Sequence, residues 1–290
     1  MSASRLFFGV YGFEITRRID LGQFCLHPRT GSFKEAQDFA TNRERFHLTA
    51  IGVYENETNR DVQEFLFDLS AALTFCQQQC VAVTGPYPFS EASPEELMSR
   101  LPAQLDLPLR RPTSGALIQS DTFAPQARSN FLELSMVKLA DKSFDQQTNL
   151  RAALFRNVES LKLQQPLIEV TYFMNFTALE ILARTSENDL TTDVASVVAR
   201  FLRKHGYDVT QDKGTERHLR VQTYVHLRNA LFHNGQLAKT VNENGQSVTL
   251  RLADYEGYVH VLVPDVILKV LGYSDPSIHW NRWIDRMPFQ

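Results

Sequence analysis

The sequence predicts an α+β domain followed by an all-α helical bundle with an inserted β-hairpin, and three observations lead there. Short runs rich in Phe, Val, Ile and Tyr, bounded by Gly, Pro and Asn, crowd the first 125 residues. From Asp141 onward, apolar residues recur at helical spacing. Between two β-like segments near the end of that helical part stands Asn244-Gly245, the strongest hairpin dipeptide. At 290 residues the chain also exceeds the usual single-domain size of about 100 to 200 residues, which divides it into residues 1–130, residues 140–275 and a tail, 276–290.

Taken in order, Leu6 to Ile15, Gly22 to Leu26 and Phe46 to Tyr54 read as strands. Asp61 to Gln79 reads as a helix with Val62, Phe65, Leu66, Leu69 and Leu73 on one stripe, and Val81-Ala82-Val83 as the strand after it. Prolines at 86, 88, 94, 102, 108, 112 and 125 then prevent long regular elements and predict a loop-rich stretch with short helices. Phe144 to Leu163 is a predicted helix. Pro166 suits the first turn of the next, which runs to Ala183, and Leu190 to His205 forms another, closed by Gly206. Thr215 to Gly235 reads as one helix, with Thr215 as N-cap, Glu216 in the positively polarised first turn and Gly235 as the left-handed terminator. After the hairpin comes an apolar helix from Tyr255 to Leu271, with a kink expected at Pro264. In the tail, Ile278-His279-Trp280-Asn281-Arg282-Trp283 is too aromatic to stand free in water and predicts packing on a domain or a partner chain.

A composition of 43% hydrophobic and 22% charged residues is that of an ordinary soluble globular protein. Three cysteines form no even disulfide framework, and neither a secretory segment nor a long apolar span is present, so the expected location is the cytoplasm with no membrane contact. Cys76 and Cys80 lie four apart without third and fourth ligands nearby and read as buried thiols, so no metal is expected. Arg17-Arg18, Arg43, Arg45 and Arg110-Arg111 read as solvated surface.

The Thr215–Gly235 segment carries the candidate chemistry. Val221, Tyr224, Val225 and Phe232 define a core-facing stripe on which Arg228 also falls, so Arg228 needs a partner. His226, Asn229 and His233 lie on a neighbouring face, which places the Asn229 amide to meet the His233 ring. Arg228 and His233 are about 140° apart around the helix, a spacing suited to converging on a third body. Residues 198–234 hold seven Arg or Lys against three acids, a local net of +4 in a chain of net −3, together with four of its eight histidines. Such a strip is what phosphate-backbone binding needs, and within it Arg217, Arg220 and His226 are candidate RNA-binding residues. Two plainer readings stand beside this one: Arg228 as a structural cation paired with Glu180, and His233 as a residue suited to a helix C-terminus.

Leu227-Arg228-Asn229-Ala230-Leu231-Phe232-His233-Asn234-Gly235 resembles the signature of the HEPN (higher eukaryotes and prokaryotes nucleotide-binding) families, and the region around residues 140–275 is similar to their Apea-like branch. There Thr177-Ala178-Leu179-Glu180-Ile181-Leu182 matches a helix carrying a Leu-Glu pair. The resemblance implies an HEPN-like bundle and a metal-independent endoribonuclease without cofactors, in which Arg228, Asn229 and His233 act on RNA and Glu180 supports Arg228. It further implies a homodimer with a composite site, a place in bacterial anti-phage or toxin-like defence, and an N-terminal domain that senses a trigger or binds a regulatory partner. The alternative is a non-catalytic module that binds RNA or a nucleotide, or serves dimerisation. A second Arg-x4-His, Arg200 to His205, lacks the following Asn and reads as surface or capping residues.

Overall fold

A computed structural model describes residues 4–56, 60–87, 93–111, 115–209, 216–243, 245–276 and 287–289. The fold is mixed, a β-sheet region at the N-terminus followed by a helical region. The chain forms two compact units, Met1–Ala140 with Leu161–Gln164 and Asp275–His279, and Asp141–Ser160 with Gln165–Ser274 and Trp280–Gln290.

The first unit runs β1 (Ser4–Tyr11), β2 (Ile19–Asp20), β3 (Phe24–Pro28), α1 (Phe33–Thr41), β4 (Phe46–Asn56), α2 (Val62–Gln77), β5 (Ala82–Tyr87), α3 (Pro94–Arg100), β6 (Gln104–Leu105) and α4 (Ala127–Ala140). Its sheet is antiparallel with strand order β2-β3-β4-β1-β5, and β6 adds to β4. The apolar parity of β4 changes midway: Phe46 and Leu48, then Ile51 and Val53, face one core with Phe7 and Tyr11. The cause is a bulge. Val10 pairs with Ala50 and Tyr11 with Leu48, which leaves Thr49 as the extra residue. The buried Thr49 hydroxyl secures it by accepting from the Phe13 amide (3.2 Å) and donating to the Val10 carbonyl (3.2 Å).

On the other face the Phe65 ring of α2 stacks on Tyr54 at 4.1 Å and meets Phe24 and Phe8 edge-on. Helix α2 starts at Asp61, whose carboxylate accepts the Gln63 amide, and ends at Gln78 in the left-handed region. It is covered in turn by α4, with Phe75 stacked on Phe131. Gly52 lies opposite Phe8 in the sheet, and a Cβ there would fall 2.0 Å from the Phe8 ring. Gly52→Ala is therefore expected to cost about 1–3 kcal/mol by overpacking, read as a lower urea midpoint at unchanged slope. An unchanged midpoint would mean that the ring yields freely.

Sequence reasoning missed α1, which is short, and α4, which follows the proline-rich stretch. It also misread Arg110. This side chain is buried, not solvated: its Nη atoms donate to the carbonyls of Ala40, Asn42 and Gly12, and it lies over Phe46. Cys76 is buried as expected, its thiol pushed up to about 12 by desolvation, whereas Cys80, expected to be buried too, is only half-buried just past the end of α2.

The second unit comprises α5 (Lys142–Thr148), α6 (Leu150–Lys162), α7 (Ile168–Ser186), α8 (Val194–Lys204), a 3-10 turn (Arg217–Leu219), α9 (Val221–Asn234), the hairpin β7 (Ala238–Glu243) and β8 (Gln246–Arg251), and α10 (Leu252–Leu271). Helix α7 is central and packs against α5, α8, α9 and α10. Buried polar bonds fix its register: Asn157 to Asn175 at 2.8 Å ties α6 to it, and the Tyr172 hydroxyl donates to the Tyr224 carbonyl of α9 at 2.7 Å.

Several expected boundaries change for local reasons. The helix expected over Phe144–Leu163 is two, because Asn149 is left-handed and the Asp145 carboxylate accepts the Arg151 amide across the break. Helix α7 begins at Ile168, beyond Pro166. Helix α8 begins at Val194 behind an Asp193 cap, while the Asp189 carboxylate accepts the amides of Thr191 and Thr192 and holds the preceding residues out of the helix. Helix α10 is continuous from Leu252 to Leu271 with Pro264 inside it. Thr215, Asn244 and the aromatic run Ile278–Trp283 lie outside the described residues. Among the described residues no helix is long and apolar enough to cross a membrane.

Candidate functional site

Helix α9 starts at Val221, not at Thr215, because Arg220 is extended (φ −110°, ψ 119°). The turn before it is held from outside the segment. The Tyr224 hydroxyl donates to the His218 carbonyl at 2.6 Å, the His218 ring stacks on Tyr258 of α10, and Arg217 and Arg220 each reach one oxygen of Glu243 on β7 at 3.2 Å. At its far end α9 stops at Gly235 in the left-handed conformation, as the sequence indicates.

Arg228 projects from α9 toward α7. Its Nη2 donates to both oxygens of Glu180, at 3.1 and 3.4 Å, and the side chains of the pair are only 19% and 12% exposed. Nη1 donates to the Asn229 amide oxygen at 3.1 Å, and the guanidinium lies 4.7 Å from the centre of the Phe232 ring, which in turn meets Phe173 of α7. The remaining donor, Nε, is buried without a hydrogen-bond acceptor among the described residues. A residue that sequence reasoning overlooked completes the cluster: Arg184 Nε donates to Glu180 at 3.0 Å and its Nη1 to the carbonyls of Asp189 and Thr192. The i,i+4 spacing of Glu180 and Arg184 on a helix was the available signal. One carboxylate thus fixes two guanidinium groups.

Two expectations are corrected here. The Asn229 amide oxygen turns to Arg228, because a charged neighbour is a stronger donor than an imidazole one turn on. The His233 ring, exposed in the last turn of α9, makes no hydrogen bond or ion pair with the described residues. Helix geometry puts Arg228 and His233 about 7.5 Å apart along the axis and about 140° apart around it.

The basic strip is also less open than its sequence suggests. Arg200 and Lys204 pair with Glu187, Arg200 also with Asp189, Arg217 and Arg220 with Glu243, and Arg228 with Glu180. Those four acids lie outside residues 198–234, and adding their charge of −4 to the local +4 gives zero. The pairs of Arg217 and Arg220 with Glu243 are half-buried, so a polyanion that competes for them displaces partly desolvated ion pairs. In the Arg200 to His205 segment, Arg200 is held by acids and the His205 ring faces the Phe201 carbonyl at 2.9 Å, which makes both surface and capping groups.

His226 is a poor phosphate cation. Burial, reinforced by Lys239, holds its pKa below the ordinary histidine value, so it is neutral at pH 7. His27 and His47 are lowered by burial in the same direction. Folded, each binds fewer protons than the unfolded chain below about pH 6.5, so the stability they contribute is intact above that pH and is lost as pH falls through the folded value. The thermal midpoint should drop between pH 7 and pH 5, and less in His226→Gln than in the wild type. Identical slopes would remove His226 from this account.

Comparison with protein-family models finds no match for this chain, and comparisons with curated proteins and with solved structures find none either.

Proposed function

We propose that the chain is a metal-independent endoribonuclease of HEPN type that works in bacterial anti-phage or toxin-like defence and cuts RNA at a site composed from two copies of the chain. The observation that carries this reading is the pairing, on one helix, of an oriented guanidinium with an unengaged imidazole: Arg228 is set by Glu180 and Asn229, while the His233 ring is exposed and makes no hydrogen bond with the described residues. RNA supplies its own nucleophile. The 2′-hydroxyl attacks the adjacent phosphorus, the bond from phosphorus to the 5′-oxygen breaks, and that oxygen leaves with a proton. His233 transfers the protons, one copy accepting and its partner donating. Arg228 balances the charge that gathers on the phosphorane, and Asn229 orients a phosphate oxygen. The scheme routes no step through a metal.

In this scheme each copy contributes one His233, so that one imidazole accepts a proton while its partner donates one. The side chains around Arg228 suit such an interface: Phe173 is 47% exposed beside the partly buried Phe232. Light scattering should therefore report about twice the 33.2 kDa of the chain. A monomer at micromolar concentration would end the composite-site scheme.

A second reading, a non-catalytic module for RNA or nucleotide binding or for dimerisation, is favoured by the neutralised basic strip and by the commitment of Arg228 to Glu180. Incubation with total RNA in chelator separates the two. Cutting that His233→Ala and Arg228→Ala both lose supports the enzyme, and intact RNA bound equally by all three proteins supports the module.

A further inference from the structure

The sheet unit contains a cavity of about 480 Å³ whose wall holds polar groups that the fold leaves unpaired. Arg128, at the start of α4, is 1% exposed. Its Nη1 donates to the Glu14 carbonyl, but Nε and Nη2, the two donors of its side-on fork, have no hydrogen-bond acceptor among the described residues. Oε1 of Glu14 forms a loose ion pair with Nη2 at 3.8 Å, is buried and accepts no hydrogen bond from the described residues. Gln79 donates its amide to the Arg111 carbonyl, while its own Oε1 is buried and unpaired. Buried donors and acceptors left like this are each costly, of order 1–3 kcal/mol. A fold that concentrates four of them, on three residues, at one cavity is short of a molecule that satisfies them together.

The chemistry of the wall defines that molecule. Its charged lining residues are one carboxylate and one guanidinium, so the cavity is formally neutral and disfavours a polyanion such as a nucleoside triphosphate. The fork requires two adjacent acceptors. Glu14 requires N–H donors next to them. Phe33 and Phe123 meet edge-on with ring centres 5.3 Å apart at the cavity, and Phe123 is 70% exposed, which offers an aromatic surface to a flat ligand. A guanine base, a 2-amino-6-oxopurine, matches these three demands: O6 and N7 for the arginine fork, N1–H and the exocyclic amine for the carboxylate, and a π-face for the rings. Its volume falls within the usual range for small-ligand sites. We propose that the sheet unit is a binding site for a guanine base or nucleoside, read by Arg128 and Glu14 and covered by Phe123. The unpaired atoms are walled from bulk water, so binding includes side-chain adjustment in the wall, as is common at binding surfaces.

Adenine presents an amine where guanine has O6, which opposes donor to donor at Arg128, and a site built on hydrogen bonds rejects such a mismatch strongly. Isothermal titration calorimetry of the full chain is the test, with guanosine, adenosine and glycine as separate titrants. Guanosine should bind at least tenfold more tightly than adenosine, and Arg128→Lys should lose that preference. Because Arg128 is buried and its replacement can unfold the unit, Phe123→Ala at the exposed rim is the second variant. It should keep the wild-type circular dichroism spectrum and weaken guanosine severalfold. No heat with guanosine at millimolar concentration, equal affinity for adenosine, a response to the glycine zwitterion alone, or guanosine binding untouched in Phe123→Ala would each overturn the proposal.

Discussion

Arg228→Ala is expected to reduce RNA cleavage by about a hundredfold or more, the usual cost of removing a donor aimed at developing charge, and Arg228→Lys should be nearly as damaging. A lysine keeps the positive charge, but its ammonium is a compact point charge. It cannot hold Glu180 through one edge, the Asn229 oxygen through another and a phosphate at the same time. His233→Ala should lose a comparable factor, in the range of about 10²–10⁴ for a proton-transfer group. Because His233 is exposed and bonded to none of the described residues, this variant should melt within a degree or two of the wild type. Initial rates on a short fluorescent RNA check all three variants. Full activity in Arg228→Lys would mean that the guanidinium acts only as a charge.

The second large effect is on stability. Glu180 serves two guanidinium groups at once, so Glu180→Ala strands both Arg228 and Arg184 in a partly buried site. Removing one partner of a fully buried pair costs about 3–5 kcal/mol. With 12% of Glu180 and 19% of each arginine still exposed, about 2 kcal/mol or more is expected. Glu180→Gln keeps acceptor oxygen and loses charge, so it should fall between Ala and wild type. A double-mutant cycle with Arg228→Met isolates the shared part. If Glu180→Ala melts with the wild type, Glu180 does not orient Arg228, and the argument for a preset cation loses its footing.

Local signals were legible in the sequence and long-range ones were not. Gly235 acts through its own backbone preference, so the end of α9 falls where the residue indicates, and β7 and β8 pair as a hairpin on either side of residues 244–245. The need of Arg228 for a partner was legible too, because an arginine on an apolar stripe is costly alone, and Glu180 is the partner that meets it. The start of α9 was hidden. Arg220 is extended while its side chain meets Glu243, 23 residues further on, and nothing local to Thr215–Arg220 encodes that tie. The charge of the strip was misjudged for the same reason: four carboxylates from other segments fold back onto it. Helix α4 escaped notice because prolines up to Pro125 dominate the signal just before it, and its identity rests on packing against α2. The bulge at Thr49 shows as a change of apolar parity in β4, and it becomes readable once the β1 register is known.

The most direct measurement is end-group analysis of the fragments released from RNA by the purified full-length chain. Attack by the 2′-hydroxyl leaves that oxygen on the upstream fragment, so the account predicts a 2′,3′-cyclic phosphate on one product and a 5′-hydroxyl on the other. Yield should be unchanged by chelator, and a substrate with a single deoxyribose at the cut position should be inert. Fragments carrying 5′-phosphates and formed only with added magnesium would mean hydrolysis by a metal-bound water, and would contradict the roles given to Arg228, Asn229 and His233.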